Sequence, residues 1–342
     1  MRKTCIIGHF ATFNNMNDGQ TVKTREIYKE LVKHKKLKVE TVDTQNYRIR
    51  IFKFIVNIIK SLKSNDCIII IVASGGMKLL IPFLVILNVF FRKKICYCAV
   101  GSWVDVKIKN NIFLKYILKK LDLILVETTE LKLSLKKMNF NNVDIMYNFK
   151  AINDVNINNH INNHFCTFSR INKLKGIEDA IYAINLLNSE GYSLYLDIYG
   201  PIKKEYEVEF NSLIEKCNNN IRYCGNKNPE DSLKFLSQYD MLLFPTHYEK
   251  EGLPGTLIDA YNAGLPVIAS SWMSSSEFVP NEVGYTYNFA DKEALVKTLK
   301  EVLKNRNLIE KKRNNCKKFV EKFTPSKAII PLLNFAAGDN ND

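Results

Sequence analysis

A chain of 342 residues is long for one core and suits two domains of ordinary size. Its apolar share of 46% and charged share of 25% exclude disorder as the whole story. The net charge of +14 is uneven: residues 1–150 carry 27 Lys+Arg against 11 Asp+Glu, and the remainder 22 against 24. A basic first half suits an anionic partner, membrane or nucleic acid. A drift of composition toward Lys, Asn and Ile would also add charge, yet would not spare the second half.

The first residues lack the charged start, short apolar block and small-residue cleavage site of a secretory signal, and 1–8 already reads as a strand. Apolar runs at 4–8, 37–42, 67–72, 95–100, 123–126 and 143–146 alternate with helical patterns such as Ile27, Tyr28, Leu31, Val32 and Ile112, Phe113, Tyr116, Ile117. Such alternation, with nearly continuous apolar strands, predicts a parallel sheet covered on both faces. Ser74, Gly75, Gly76 and Lys78 interrupt the apolar stretch 67–91, leaving 79–91 too short to span a membrane. Arg92, Lys93 and Lys94 follow it. Two readings stay open: a helix lying in the membrane interface, or a core helix with a basic end. The eight cysteines form no CxxC pair and no metal spacing with histidine, so buried reduced thiols are expected, with Cys96 and Cys98 on one strand face.

Residues 153–164 are Asn-rich and without period, and read as a linker. The alternation restarts with strands at 165–169, 193–199, 221–223, 241–244 and 267–269, and closes with helices over 294–303 and 308–323. The expected organisation is a first domain over 1–152, the linker, and a second domain over 165–323. A C-terminal helix over 324–342 is free to pack back on the first domain. The fold class is α/β, with two doubly wound Rossmann-like domains facing across a cleft at the carboxyl ends of their strands.

The residues that carry chemistry lie in the second half. A bound or departing phosphate group is stabilised by fixed cations, backbone N–H groups or a helix N-terminus. Arg170 and Lys175, in Ser169-Arg170-Ile171-Asn172-Lys173-Leu174-Lys175-Gly176, stand on a strand-to-helix loop where Arg can fork onto phosphate oxygens and Lys act as a point charge. The strand 241–244 opens into a turn in which Gly252 and Gly255 permit close approach to a phosphate, before a helix beginning near Thr256. Glu251 and Asp259 add two carboxylates suited to hydroxyls of a sugar and a ribose. Taken singly, a basic loop is commonly just solvated, and each acid is commonly a solvated or dipole-pairing carboxylate.

In order, however, R-x4-K-G, Tyr199-Gly200-Pro201, Tyr223-Cys224-Gly225, the E-x7-D loop and Ala263-Gly264-Leu265-Pro266-Val267-Ile268-Ala269 resemble the donor domain of family 4 of the retaining glycosyltransferases, which have the GT-B fold. The wording Glu-Gly-Leu-Pro-Gly-Thr-Leu-Ile-Asp-Ala is similar to bacterial members that build capsules, O-antigens and other surface polysaccharides. The match spans 165–285. The first half matches through Gly19-Gln20-Thr21-Val22-Lys23-Thr24 and Val100-Gly101-Ser102-Trp103.

The resemblance implies that Arg170 and Lys175 bind the donor diphosphate and that Glu251 contacts the donor sugar, all three acting in catalysis. It also implies that Gly252, Leu253, Pro254, Gly255 and Thr256 line the donor, and that Asp259 holds the ribose where the family more often has Glu. Gly19 would let the first-domain loop approach the phosphates, and Gly101, Ser102 and Trp103 would lie toward the acceptor. No histidine stands near Gly101–Trp103, where many relatives carry one; Glu277 resembles a recurring Glu, and His9 reads as a core or loop residue. Further implications are retention of configuration, a UDP- or GDP-linked sugar as co-substrate, no cofactor, and no metal, because protein cations replace it. The acceptor would be lipid-linked or a growing saccharide, and the place of work the cytoplasmic inner face of the plasma membrane, met through the basic first domain. No nucleic acid is expected, since no recognised binding motif interleaves aromatics with the basic residues. The competing readings are a basic nucleic-acid-binding protein, a non-catalytic accessory subunit of a transferase complex, and a nucleotide-sugar epimerase.

Overall fold

The computed structural model describes residues 1–12, 19–45, 49–153, 162–228 and 231–338. The chain divides into two compact units: Met1–Asn148 together with Pro325–Asp342, and Phe149–Thr324. Most of the expected linker, 154–161, lies outside the described residues.

In the first unit, strands β1 (Arg2–Gly8), β2 (Leu37–Asp43), β3 (Cys67–Val72), β4 (Lys94–Ala99), β5 (Leu123–Val126) and β6 (Val143–Ile145) form one parallel sheet ordered β2-β1-β3-β4-β5-β6. Every residue of β3, Cys-Ile-Ile-Ile-Ile-Val, is buried, because helices cover both sheet faces and no alternation is required of such a strand. The helix after β3 runs Ser74–Phe91 and so takes in the residues expected to interrupt it. Gly76 is admitted because a side chain there would meet the Val72 Cβ at 2.7 Å, so the close approach of strand and helix requires its absence. Among the described residues no helix is long and apolar enough to cross a membrane. The C-terminal helix Ile330–Ala337 lies against β1 and β5.

In the second unit, β7 (His164–Phe168), β8 (Tyr195–Tyr199), β9 (Ile221–Tyr223), β10 (Met241–Phe244), β11 (Val267–Ser270) and β12 (Gly284–Tyr287) form a second parallel sheet, ordered β12-β11-β10-β7-β8-β9. The fold is therefore two Rossmann-like α/β units, as the alternation of strands and helices predicted. Strand β12 was not expected from the sequence: Gly-Tyr-Thr-Tyr is short, and two of its four residues are only half-buried or exposed. Its glycine is what lets it pair, since a Cβ at Gly284 would meet the Val267 carbonyl oxygen at 2.4 Å. On the sheet the buried Asp197 and Tyr239 anchor a polar cluster that reaches solvent through Arg222. Asp197 accepts from Arg222 Nε at 2.9 Å and Nη2 at 3.0 Å and from the Tyr239 hydroxyl at 2.7 Å, and its Oδ2 lies 3.2 Å from His164 Nε2.

Candidate functional site

In the second sheet β7 and β10 are neighbours, yet the chain leaves them in opposite directions, toward β8 on one side and β11 on the other. Such a reversal leaves a crevice at the carboxyl ends of the two strands, where open α/β sheets hold ligands. The loops that enter it are the two singled out in the sequence. They are tied together at Gly176, whose φ of +62° and whose missing side chain are both required: a Cβ would stand 1.8 Å from the Pro245 carbonyl oxygen. Alongside, the His247 N–H donates to Leu174 O at 2.8 Å and His247 Nε2 lies 2.6 Å from Asp179 Oδ2.

Lys175 ends a short 3-10 turn, Lys173–Lys175, and its Nζ ion-pairs with Glu251 Oε1 across the two loops. The same ammonium stands 5.4 Å from the centre of the Phe244 ring, a cation–π contact. Thr246 Oγ1 lies 3.1 Å from Glu251 Oε1 and accepts the Tyr248 N–H at 3.1 Å, so the Glu251 carboxylate is fixed from two sides. Arg170, two residues past β7, is exposed and carries no ion pair among the described residues. A pinned, half-buried cation thus shares one strand-to-helix loop with an uncommitted one.

The helix Gly255–Asn262 opens from Pro254 in extended conformation, so its first N–H groups face out of the loop. Gly252, Pro254, Gly255 and Thr256 are partly exposed, while Leu253 is buried beneath them. The Thr256 Oγ1 atom is buried and has no hydrogen-bond partner, which leaves a donor and acceptor for an incoming group. Asp259, one turn further, is only 7% exposed. Lys150 Nζ donates to its Oδ2 at 2.5 Å and Ser232 also hydrogen-bonds it. Burial pushes the Asp259 carboxyl above its ordinary value, and Lys150 and Ser232 pull it back.

The structure therefore brings together Lys175, Glu251 and the loop 252–256, and sets Arg170 on the Lys175 loop and Asp259 inside the helix that follows. Glu277 is on the short helix Ser275–Phe278 and half-buried, with its backbone oxygen 3.4 Å from Lys322 Nζ. Gly19, Gly101, Ser102 and Trp103 belong to the first unit. Gly19 begins the helix Gly19–Lys33, and residues 13–18 before it lie outside the described residues. Gly101 has φ +82°, and the buried Ser102 Oγ has no hydrogen-bond partner. Two arrangements were missed by sequence reasoning. Lys150 reaches Asp259 across 109 positions. Lys23 is buried against Glu127 and donates to Ala99 O at 2.9 Å.

Residues 149–323, half of the chain, match the family model described as glycosyl transferases group 1. The chain belongs to this family. It is 28% identical over 162 residues to the capsular polysaccharide biosynthesis glycosyltransferase CapM of Staphylococcus aureus, covering 47% of this chain and 42% of CapM. It is 27% identical over 139 residues to the amylovoran biosynthesis glycosyltransferase AmsK of Erwinia amylovora, covering 38% of this chain and 33% of AmsK. The chain thus spans less than half the length of these curated relatives. The crystal structure of Anabaena Alr3699/HepE in complex with UDP superimposes with a TM-score of 0.77, covering 99% of this chain and 100% of that one at 12% identity. At that identity the likeness shows the fold and nothing finer.

Proposed function

We propose that the protein is a retaining glycosyltransferase that binds a nucleotide-diphosphate sugar at the β7/β10 switch point and passes the sugar to a lipid-linked or growing saccharide acceptor. The observation that carries this reading is the Lys175–Glu251 ion pair, set beside the N-terminus of helix Gly255–Asn262 with Arg170 on the same loop as Lys175. Arg170, Lys175 and the helix N–H groups supply positive potential for a departing diphosphate, so no metal is needed to neutralise it. Glu251 is left to accept from sugar hydroxyls, with its lysine pairing already made. Gly252 to Thr256 line the phosphates, and Asp259 takes ribose hydroxyls. The UDP held by Alr3699/HepE supports a uridine donor, with guanosine the alternative. CapM and AmsK support a product in capsule, O-antigen or related surface-glycan synthesis.

The acceptor side is assigned to the first unit around Gly101, Ser102 and Trp103, where the unsatisfied Ser102 hydroxyl can meet an acceptor hydroxyl. Work at the inner face of the plasma membrane is supported by helices Ser74–Phe91 and Ile112–Lys119, which pack together and leave Val89, Phe90, Ile112 and Phe113 exposed. Arg92, Lys93 and Lys94 follow directly, a combination of apolar and basic side chains that suits anionic lipid. Incubating the protein and a membrane extract with a panel of labelled UDP- and GDP-sugars tests the proposal. Transfer of label from one donor into lipid or polysaccharide, with the anomeric configuration kept, is expected. Release of free sugar from every donor with no product, or inversion at the anomeric carbon, would overturn it.

A further inference from the structure

Lys150 belongs to none of the sequence patterns that pointed to the site, and its surroundings are those of a ligand-binding cation. Its backbone N–H donates to Phe323 O at 3.3 Å, which holds the residue beside the second unit's core. Its side chain runs over the first turn of helix Gly255–Asn262, close enough that a Cβ on Gly255 would stand 3.2 Å from Lys150 Cε and 3.3 Å from Nζ. The Nζ atom ends 2.5 Å from Asp259 Oδ2. An ammonium at the N-terminal end of a helix opposes the helix dipole, so this place is unfavourable unless anions compensate it. Asp259 supplies one, from within the helix. An ammonium has three donors, however, and this carboxylate uses one. The Lys150 side chain remains 30% exposed while that of Asp259 is 9% exposed, so the cation, not the acid, has the freer approach to solvent.

We infer that Lys150 is a further donor-binding residue, whose ammonium, oriented by Asp259, donates to a phosphate oxygen of a nucleoside diphosphate seated on the N-terminus of helix Gly255–Asn262. The inference rests on the donor site proposed above. It gives Asp259 a second duty besides the ribose: with a side chain one methylene shorter than Glu, it draws the lysine down onto the helix start. A side chain at Gly255 would press on the end of the lysine and shift its ammonium by a few tenths of an ångström.

Calorimetric titration of UDP and of uridine into wild type, Lys150→Met and Lys150→Arg tests this. Loss of one charge-assisted contact to phosphate predicts about tenfold weaker UDP binding in Lys150→Met and less than about twofold change for uridine, with Lys150→Arg in between. A lysine that only stabilises the fold would weaken both ligands alike, so parallel losses, or UDP affinity equal to wild type, overturn the inference. Should Lys150→Met not fold, Lys150→Gln, which keeps a polar side chain over the helix without the charge and leaves Asp259 in place, is expected to show the same selective loss for UDP. Wild type that binds neither UDP nor GDP would overturn the donor site itself; wild type that binds while Lys150→Met binds equally well refutes the role of Lys150 alone.

Discussion

Lys175 and Glu251, 76 positions apart in the sequence, meet as an ion pair that bridges the loops after β7 and β10. Each holds the other in place, so the two side chains act as one unit. Glu251→Gln and Lys175→Ala are each expected to lower sugar-transfer turnover by about 10²–10³, the scale for one preorganised charge stabiliser. The double variant is expected to lose little more than the worse single one, because removing either partner already dismantles the unit. Steady-state rates across the four proteins check this, and fully additive losses would show that the two act independently.

The contact of Gly176 with the Pro245 carbonyl is what lets the two loops lie together. Gly176→Ala combines a left-handed backbone with a steric clash, and is expected to cost roughly 2 kcal/mol or more in urea unfolding. Gly191, with φ +95° but open space around it, is the control: Gly191→Ala is expected to cost about 1 kcal/mol from the backbone alone. Equal costs would mean that the loops part without penalty.

Asp197 provides a pH prediction. Despite burial, hydrogen bonds from Arg222 and Tyr239 and the His164 ring 3.2 Å away hold its carboxyl well below the usual carboxylate range. A group whose folded value is depressed stabilises the protein above its unfolded value, and that contribution disappears as pH falls through the unfolded value toward the folded one. Asp197→Asn is therefore expected to be less stable than wild type by about 1–2 kcal/mol at pH 7, the hydrogen bonds to a buried carboxylate whose arginine partner is largely exposed and screened by solvent. The gap is expected to shrink below about pH 4. Denaturant unfolding at several pH values measures it, and a gap that stays constant down to pH 2 would contradict the assignment.

How far the sequence disclosed this molecule depended on the range of the signal. Among the described residues, eleven of the twelve strands carry apolar runs or spacings that are local, and they were legible. Strand β12 was not, because its place follows from Gly284 fitting against Val267 rather than from apolar content. The loop residues Arg170, Lys175 and Glu251 were legible because their order along the chain is itself the pattern. Lys150 and the Lys23–Glu127 pair were not: the partners are 109 and 104 positions away, Lys150 stands in no pattern, and the stretch Gly19–Thr24 that holds Lys23 points to no partner for it. The helix Ser74–Phe91 was started five residues late because Gly75 and Gly76 read as breakers, whereas one of them is demanded by packing on Val72.

The exposed apolar residues of the first unit give a further expectation. With Val89 and Phe90 both replaced by Ser, binding to vesicles containing anionic phospholipid is expected to fall roughly tenfold or more, from the apolar area lost to the interface. Raised salt is expected to weaken wild-type binding as well, through the basic residues nearby. Co-sedimentation with vesicles measures both, and unchanged binding by the double variant would move the membrane contact elsewhere.

Equilibrium titration of UDP and GDP into wild type and Arg170→Ala asks whether the second unit's cations hold a nucleoside diphosphate at the β7/β10 crevice, as proposed. Because Arg170 is exposed and unpaired among the described residues, the variant is expected to keep its stability within about 0.5 kcal/mol. Saturable binding of one diphosphate by wild type, weakened about tenfold or more in the variant, is the predicted result. No binding of either diphosphate by wild type, or identical affinities in the two proteins, would contradict the account.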